Sequence, residues 1–225
     1  MAADGTIAKL LRESELFRSF PAESLDRVLA SAAMVDFARN ELLFEEGDEA
    51  AYLFVVCRGR IAIQKRSPDG RESMLALMEE GDLFGEMPLF SEAGEGRSAA
   101  AKVLEAATVV TVPYPAVRAE LDRQPELLWG VVALLAARLR VTNAGLADSM
   151  FLDVTGRTAK RLLELSGGVD SFVLPVTQEE LAGMVGASRE RVNKALAAFL
   201  RLGWLEQADR KYVIRDRAQL ERRAT

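Results

Sequence analysis

Between residues 35 and 112 the chain changes texture, and this change limits the fold more than any other feature. Short apolar runs (ELLFE, YLFVV, RIAIQKR, SMLALM, TVVTV) follow one another, punctuated by Gly47, Gly59, a Pro-Asp-Gly turn at 68–70 and Gly81. Brief Val/Ile/Leu/Phe runs at such regular spacing predict an antiparallel sandwich or barrel. Residues 7–34 carry helical apolar spacing, with Pro21 opening PAESLDRVLASA, and residues 116–150 return to helix. At 225 residues the chain has room for one large or two modest domains.

The later helix carries a second pattern. Leu128, Val132, Leu135, Leu139, Thr142 and Leu146 are spaced as a heptad seam. A seam of this kind joins two copies of a chain, or else lays one helix on its own domain's core. Thr142 puts a polar group on the seam, with Asn143 beside it. Polar groups there need partners, from across an interface or from a ligand, so both are candidate ligand contacts.

Beyond FLDVTGR at 151–157, where Asp153 or Thr155 caps the next helix, lies a compact motif. Thr177 and Glu180 form a capping box, Gly186 makes a turn, and Ser188 caps a second helix ahead of two short strands around 208–210. Leu181, Met184, Val185, Val192, Leu196 and Phe199 are its expected core. Helix, tight turn, helix and β-ribbon read as a winged helix-turn-helix. Arg189, Glu190, Arg191, Asn193 and Lys194 then occupy the first turns of a recognition helix, where side chains meet base edges in the major groove. Charge agrees. From residue 155 onward there are 13 Lys and Arg against 9 Asp and Glu, about +4, whereas the rest holds 16 against 25, about −9. The overall −5 conceals an acidic body and a basic end, the balance of a sensor joined to a DNA binder.

Residues 84–100, FGEMPLFSEAGEGRSAA, either form an exposed loop carrying two unrelated charges or supply chemistry for an anion. Gly85, Ser98 and Ala99 leave backbone N–H groups open, Glu86 can accept from hydroxyls, and Arg97 offers a planar fork for phosphate. Other chemistries are pruned. The chain has no histidine, which excludes histidine acid–base catalysis, the usual zinc sites and histidine-ligated haem. The single cysteine, Cys57, flanked by LFVV, reads as a core thiol and fits a reducing cytoplasm. No catalytic or metal-ligating set accompanies Glu86, so no enzyme is expected. The start, MAADGTIAKLL, lacks the form of a secretory signal, and WGVVALLAA at 129–137 is too short to cross a bilayer, so no membrane partner is expected.

On EEGDEAAYLFVVCRG, FGEMPLF…GRSAA, RVTNAGLADSMFLDVTGR and VTQEELAGMVGASRERVNKAL, the chain resembles the cyclic AMP receptor protein family (CRP/FNR superfamily) over nearly its whole length, its actinobacterial members in particular. The resemblance implies an α+β fold. Its parts are a jelly-roll β-sandwich cyclic-nucleotide-binding domain with N-terminal helices (1–115), a dimerisation helix (116–152) and a winged helix-turn-helix (153–225). It further implies a cytoplasmic homodimer that takes cyclic AMP, with cyclic GMP or no ligand as alternatives, binds double-stranded TGTGA-like inverted repeats and meets RNA polymerase. Glu86 would then accept from the ribose hydroxyl, with Gly85 and Met87 beside it. Arg97, Ser98 and the Ala99 N–H would hold the phosphate. Thr142, and Asn143 of the second subunit, would reach the base. Arg189, Glu190 and Lys194 fall at base-reading positions, with Thr177, Ser188, Arg191 and Asn193 around them. Pro88, Asn143, Lys194 and Glu179 depart from the family's usual residues. Lys194 in place of arginine loses a bidentate fork.

Overall fold

The structure is a computed structural model that describes residues 2–67, 72–91, 95–209 and 211–225. The expected turn at 68–70, part of the loop before Arg97, and Arg210 lie outside the described residues. Contacts group Met1–Arg66 and Leu75–Leu139 into one unit, and Ser67–Met74 and Arg140–Thr225 into another.

Helices α1 (Ala2–Glu13) and α2 (Ala22–Leu29) precede the β-rich body. Strands β1 (Ala33–Phe37), β2 (Leu42–Phe44), β3 (Tyr52–Arg66), β4 (Glu72–Met78), β5 (Leu83–Phe84) and β6 (Ala100–Pro113) follow, in the sheet order β1-β6-β3-β4, with β2 on β6 and β5 on β3. The antiparallel expectation holds for β6 with β1, β2 and β3, and for β3 with β5. One detail differs. YLFVV and RIAIQKR are a single 15-residue strand, and Gly59 is a bend within it rather than a turn. Gly59 has φ +88°, and a Cβ there would stand 2.5 Å from the Ala106 carbonyl oxygen. The β3–β6 register slips around it, so the long pair bends without ending.

The run Leu53–Val56 is buried on both faces because the strand has covers on both sides. Leu53 and Val55 join Leu11, Phe17, Leu25 and Val117 of the helices. Phe54 and Val56 join Ile61, Phe84, Val103 and Val109 inside the roll. Each such side chain contributes about 1.5–3 kcal/mol of burial. Cys57 is half-buried against the helical cluster, and desolvation pushes its thiol up.

Residues 116–150 are two helices, not one. α3 (Tyr114–Arg123) stops at Gln124, a 3₁₀ turn spans Pro125–Leu127, and α4 runs Leu128–Phe151. Pro125 has no N–H to continue the ladder. Val131 and Leu134 of α4 are buried, whereas Leu128, Val132, Leu139 and Leu146 are 44–61% exposed. The seam therefore points outward at these four positions, whereas Leu135, its third position, packs half-buried against the chain's own core. Pro125–Phe151 also exceeds the nine-residue apolar run: over 27 residues, with a mean hydropathy of 1.4 in its best window, it is long enough by length and composition to cross a bilayer. Arg138 in its middle is instead committed to an ion pair with the β-rich body.

The second unit holds α5 (Val154–Leu165), β7 (Ser171–Val173), α6 (Gln178–Val185), α7 (Arg189–Arg201), β8 (Leu205–Ala208), β9 (Lys211–Ile214) and α8 (Arg217–Arg223). Asp153, not Thr155, caps α5, accepting from the Gly156 N–H at 2.8 Å. The wing has three strands, ordered β7-β9-β8, one more than expected. Leu181, Val185, Val192, Leu196 and Phe199 are buried as expected, while Met184 is half-buried.

Candidate ligand site and nucleic-acid interface

Strand β5 delivers Gly85 and Glu86 to the inside of the β-rich unit, and a 3₁₀ turn at Met87–Phe90 follows at once. Pro88 sits in the first turn of that short helix, where its missing N–H does no harm. The Leu89 N–H closes the turn on the Glu86 carbonyl at 2.9 Å. Gly85 adopts φ +74°, and a Cβ there would come within 2.8 Å of Arg97 Nη1. The glycine is thus what lets Arg97 approach this backbone.

Glu86 has no exposed surface. Its Oε1 accepts from Arg138 Nη1 at 2.7 Å, and Arg138 Nη2 also donates to the Leu83 carbonyl. Burial pushes the Glu86 carboxyl up, against the pull of Arg138. Arg97 is 5% exposed. Its Nη1 donates to the Gly85 carbonyl at 2.9 Å and to the Tyr114 hydroxyl at 3.0 Å, and its Nη2 donates to the Tyr52 carbonyl at 2.8 Å. The guanidinium lies 4.2 Å from the centre of the Phe44 ring and 5.2 Å from that of Phe54. Desolvation lowers its proton affinity, and the Tyr114 phenol opposes that shift. The Arg97 backbone pairs with Gly47 and Asp48 at 2.9 Å in both directions.

Two buried atoms of this cluster, Glu86 Oε2 and Arg97 Nε, have no hydrogen-bond partner among the described residues. Buried polar atoms are almost always paired, and each unpaired one costs about 1–3 kcal/mol. One is an acceptor and the other a cationic donor. A ligand carrying a hydroxyl and an anionic group satisfies both, so the donor set fits a sugar phosphate.

The structure brings Gly85, Glu86 and Arg97 together. Met87 and Ser98 are exposed and Ala99 is buried. Thr142 and Asn143 are exposed on α4, in the half that groups with the second unit. Sequence reasoning missed Arg138 and Tyr114. Arg138 left a signal, one of two arginines (with Arg140) in an otherwise apolar stretch, one turn before Thr142. Tyr114 left none.

In the second unit, Thr177 Oγ1 accepts from the Glu180 N–H at 3.2 Å while Glu180 Oε2 accepts from the Thr177 N–H at 2.6 Å. Gly186 closes α6 in the left-handed region, and Ser188 Oγ caps α7 through the Arg191 N–H at 3.4 Å. Arg189, Glu190, Arg191 and Lys194 are exposed on α7, and no ion pair engages them among the described residues. Asn193 is half-buried, its Oδ1 without a partner. Glu179 is exposed on α6. The two arginines, Glu190 and Lys194 thus stand unpaired near a capped helix start, as a groove-reading helix requires.

Known families match both units. A cyclic nucleotide-binding domain matches residues 34–124 and a Crp-like helix-turn-helix domain residues 156–223. The chain is 37% identical over 223 residues to the CRP-like cAMP-activated global transcriptional regulator of Mycobacterium tuberculosis, covering 96% of this chain and 99% of that one. It is 31% identical over 179 residues to the cAMP-activated global transcriptional regulator CRP of Escherichia coli, covering 77% and 85%. Among solved structures, the c-di-GMP responsive global regulator CLP of Xanthomonas campestris superposes with a TM-score of 0.74 at 27% identity, covering 86% of this chain and 99% of that one. With a buried carboxylate and arginine ahead of a capped helix-turn-helix, and with identity running nearly end to end, the chain belongs to the cyclic AMP receptor protein family of transcription regulators.

Proposed function

We propose that this protein is a homodimeric transcription regulator that binds double-stranded DNA in response to cyclic AMP. The observation that carries the ligand is the unpaired pair of buried atoms, Glu86 Oε2 and Arg97 Nε. A bound cyclic nucleotide supplies a ribose hydroxyl and a singly charged phosphate. Glu86, held by Arg138, accepts the hydroxyl, and Arg97 supplies the positive charge, with Ser98 and the Ala99 N–H beside it. Gly85 and Met87 flank the carboxylate. Thr142 and the second subunit's Asn143 reach the base. An amide both donates and accepts, so cyclic GMP is the competing ligand.

The recognition residues are Arg189, Glu190 and Lys194 on base edges, with Thr177, Ser188, Arg191 and Asn193 setting the helix against the backbone. Two copies joined along α4 hold their recognition helices about 34 Å apart, one turn of duplex, to read an inverted TGTGA-like repeat. Segments 1–115, 116–152 and 153–225 act as sensor, dimerisation and DNA-reading parts, with a coupling of about 1–3 kcal/mol between ligand and DNA. The relatives are regulators rather than enzymes, and this chain performs no turnover in our reading. It works in the cytoplasm, beside the chromosome and RNA polymerase.

Fluorescence anisotropy of a labelled inverted-repeat duplex tests this at one fixed salt concentration, without ligand, with cyclic AMP and with cyclic GMP. Tight binding with cyclic AMP alone is expected. Equal binding in all three conditions defeats the ligand switch, and tighter binding with cyclic GMP reverses the ligand assignment.

A further inference from the structure

The cation assigned to the phosphate is already engaged by the protein itself. Both Nη1 hydrogens of Arg97 are taken, by the Gly85 carbonyl and the Tyr114 hydroxyl, and one Nη2 hydrogen by the Tyr52 carbonyl. The remaining Nε is buried, and the residue keeps 5% of its surface. Rings of Phe44 and Phe54 lie against the guanidinium. In this pose an anion is left only Nε and one Nη2 hydrogen, both closed in with the buried residue, so a full clamp on the guanidinium requires the side chain to move outward and give up these contacts. Two of its three acceptors are main-chain carbonyls, which no substitution removes. The third, Tyr114, is a side chain at the first residue of α3. Its hydroxyl accepts from Arg97 and donates in turn to the Gly85 carbonyl, closing a three-membered ring of hydrogen bonds.

We propose that Tyr114 is a latch on Arg97. Its hydroxyl holds the guanidinium in an inward, self-satisfied pose that the phosphate of a cyclic nucleotide must displace, so Tyr114 sets both ligand affinity and the rate of entry. The inference rests on reading Arg97 as the phosphate-binding group. Release of the latch precedes capture, so its loss acts on association and leaves dissociation nearly unchanged.

The test is Tyr114→Phe in the full-length chain, titrated with cyclic AMP by calorimetry and followed by stopped-flow mixing. The ring keeps its volume, and thermal melts without nucleotide check the fold. Binding about 3- to 10-fold tighter is expected, the scale of one net hydrogen bond, with the gain in the association rate. Phe44→Leu, which removes a ring face from under the guanidinium, is expected to shift affinity the same way and serves if the first variant folds poorly. Unchanged or weaker binding in both variants, or a gain confined to slower dissociation, overturns the latch. Arg97→Ala in parallel separates the two ideas. It should lose cyclic AMP binding, and retained affinity there sinks the assignment of Arg97 itself, whatever Tyr114 does.

Discussion

Glu86 and Glu120 are both buried carboxylates, yet they answer to pH in opposite senses. Glu120 on α3 is 2% exposed and accepts from Arg27 Nε and Nη2 at 2.7 and 2.8 Å, with Arg123 on the same carboxylate. The Arg27 hydrogen bonds hold it down to about 2. Its contribution is therefore complete above the ordinary carboxylate value and drains as pH falls from there toward about 2. Glu86 has one arginine and one unpaired oxygen, and burial raises its pKa. Ionising it costs more in the folded chain, so stability falls as pH rises from the ordinary carboxylate value through the raised one. Thermal melts of Glu120→Gln and Glu86→Gln beside the wild type at pH 3.5, 5 and 7 check both signs. The wild type should gain on Glu120→Gln as pH rises and lose ground to Glu86→Gln over the same range. Parallel curves for Glu86→Gln would mean that Arg138 fully offsets the burial.

At the scale of elements, the capping box predicts a separable loss. Thr177→Ala removes the bond to the Glu180 N–H and the reason for Glu180 to reach back, and it should destabilise α6 by about 1 kcal/mol. Arg189→Ala should leave the melt alone and weaken binding to the inverted repeat by about 1–3 kcal/mol. A Thr177→Ala variant that melts normally but fails on DNA would put Thr177 at the DNA rather than in the cap. Caps of this kind were legible because they lie within four residues, as were Glu86 and Arg97 by their chemistry. What escaped was tertiary. The Arg138–Glu86 bond joins residues 52 apart, and Tyr114 meets Arg97 across 17. Gly59 looks like a turn in sequence because its positive φ is as useful to a bulged strand as to a hairpin. The three-residue β7 is too short to show a period of two.

For the whole molecule, the outward row of α4 is the feature a single chain leaves unexplained. Leu128, Val132, Leu139 and Leu146 recur at heptad spacing, all exposed, and Val141, Met150 and Phe151 are 70–81% exposed around them. Apolar side chains left exposed in a row along one helix mark an interface. In the proposed dimer, a second copy laid along the same row would bury it symmetrically and would provide the two recognition helices that an inverted repeat needs. Leu139→Glu places like charges opposite each other at the middle of that row without touching the chain's own core. Sedimentation equilibrium at micromolar protein should find the wild type dimeric and this variant monomeric. Affinity for the inverted repeat should then fall by roughly 100-fold or more, because the second half-site no longer binds intramolecularly. Affinity for cyclic AMP should fall far less, since Glu86, Arg97 and Arg138 all belong to one chain. A monomer that lost cyclic AMP as completely as DNA would show that the second subunit's Asn143 holds the ligand as firmly as the buried pair does.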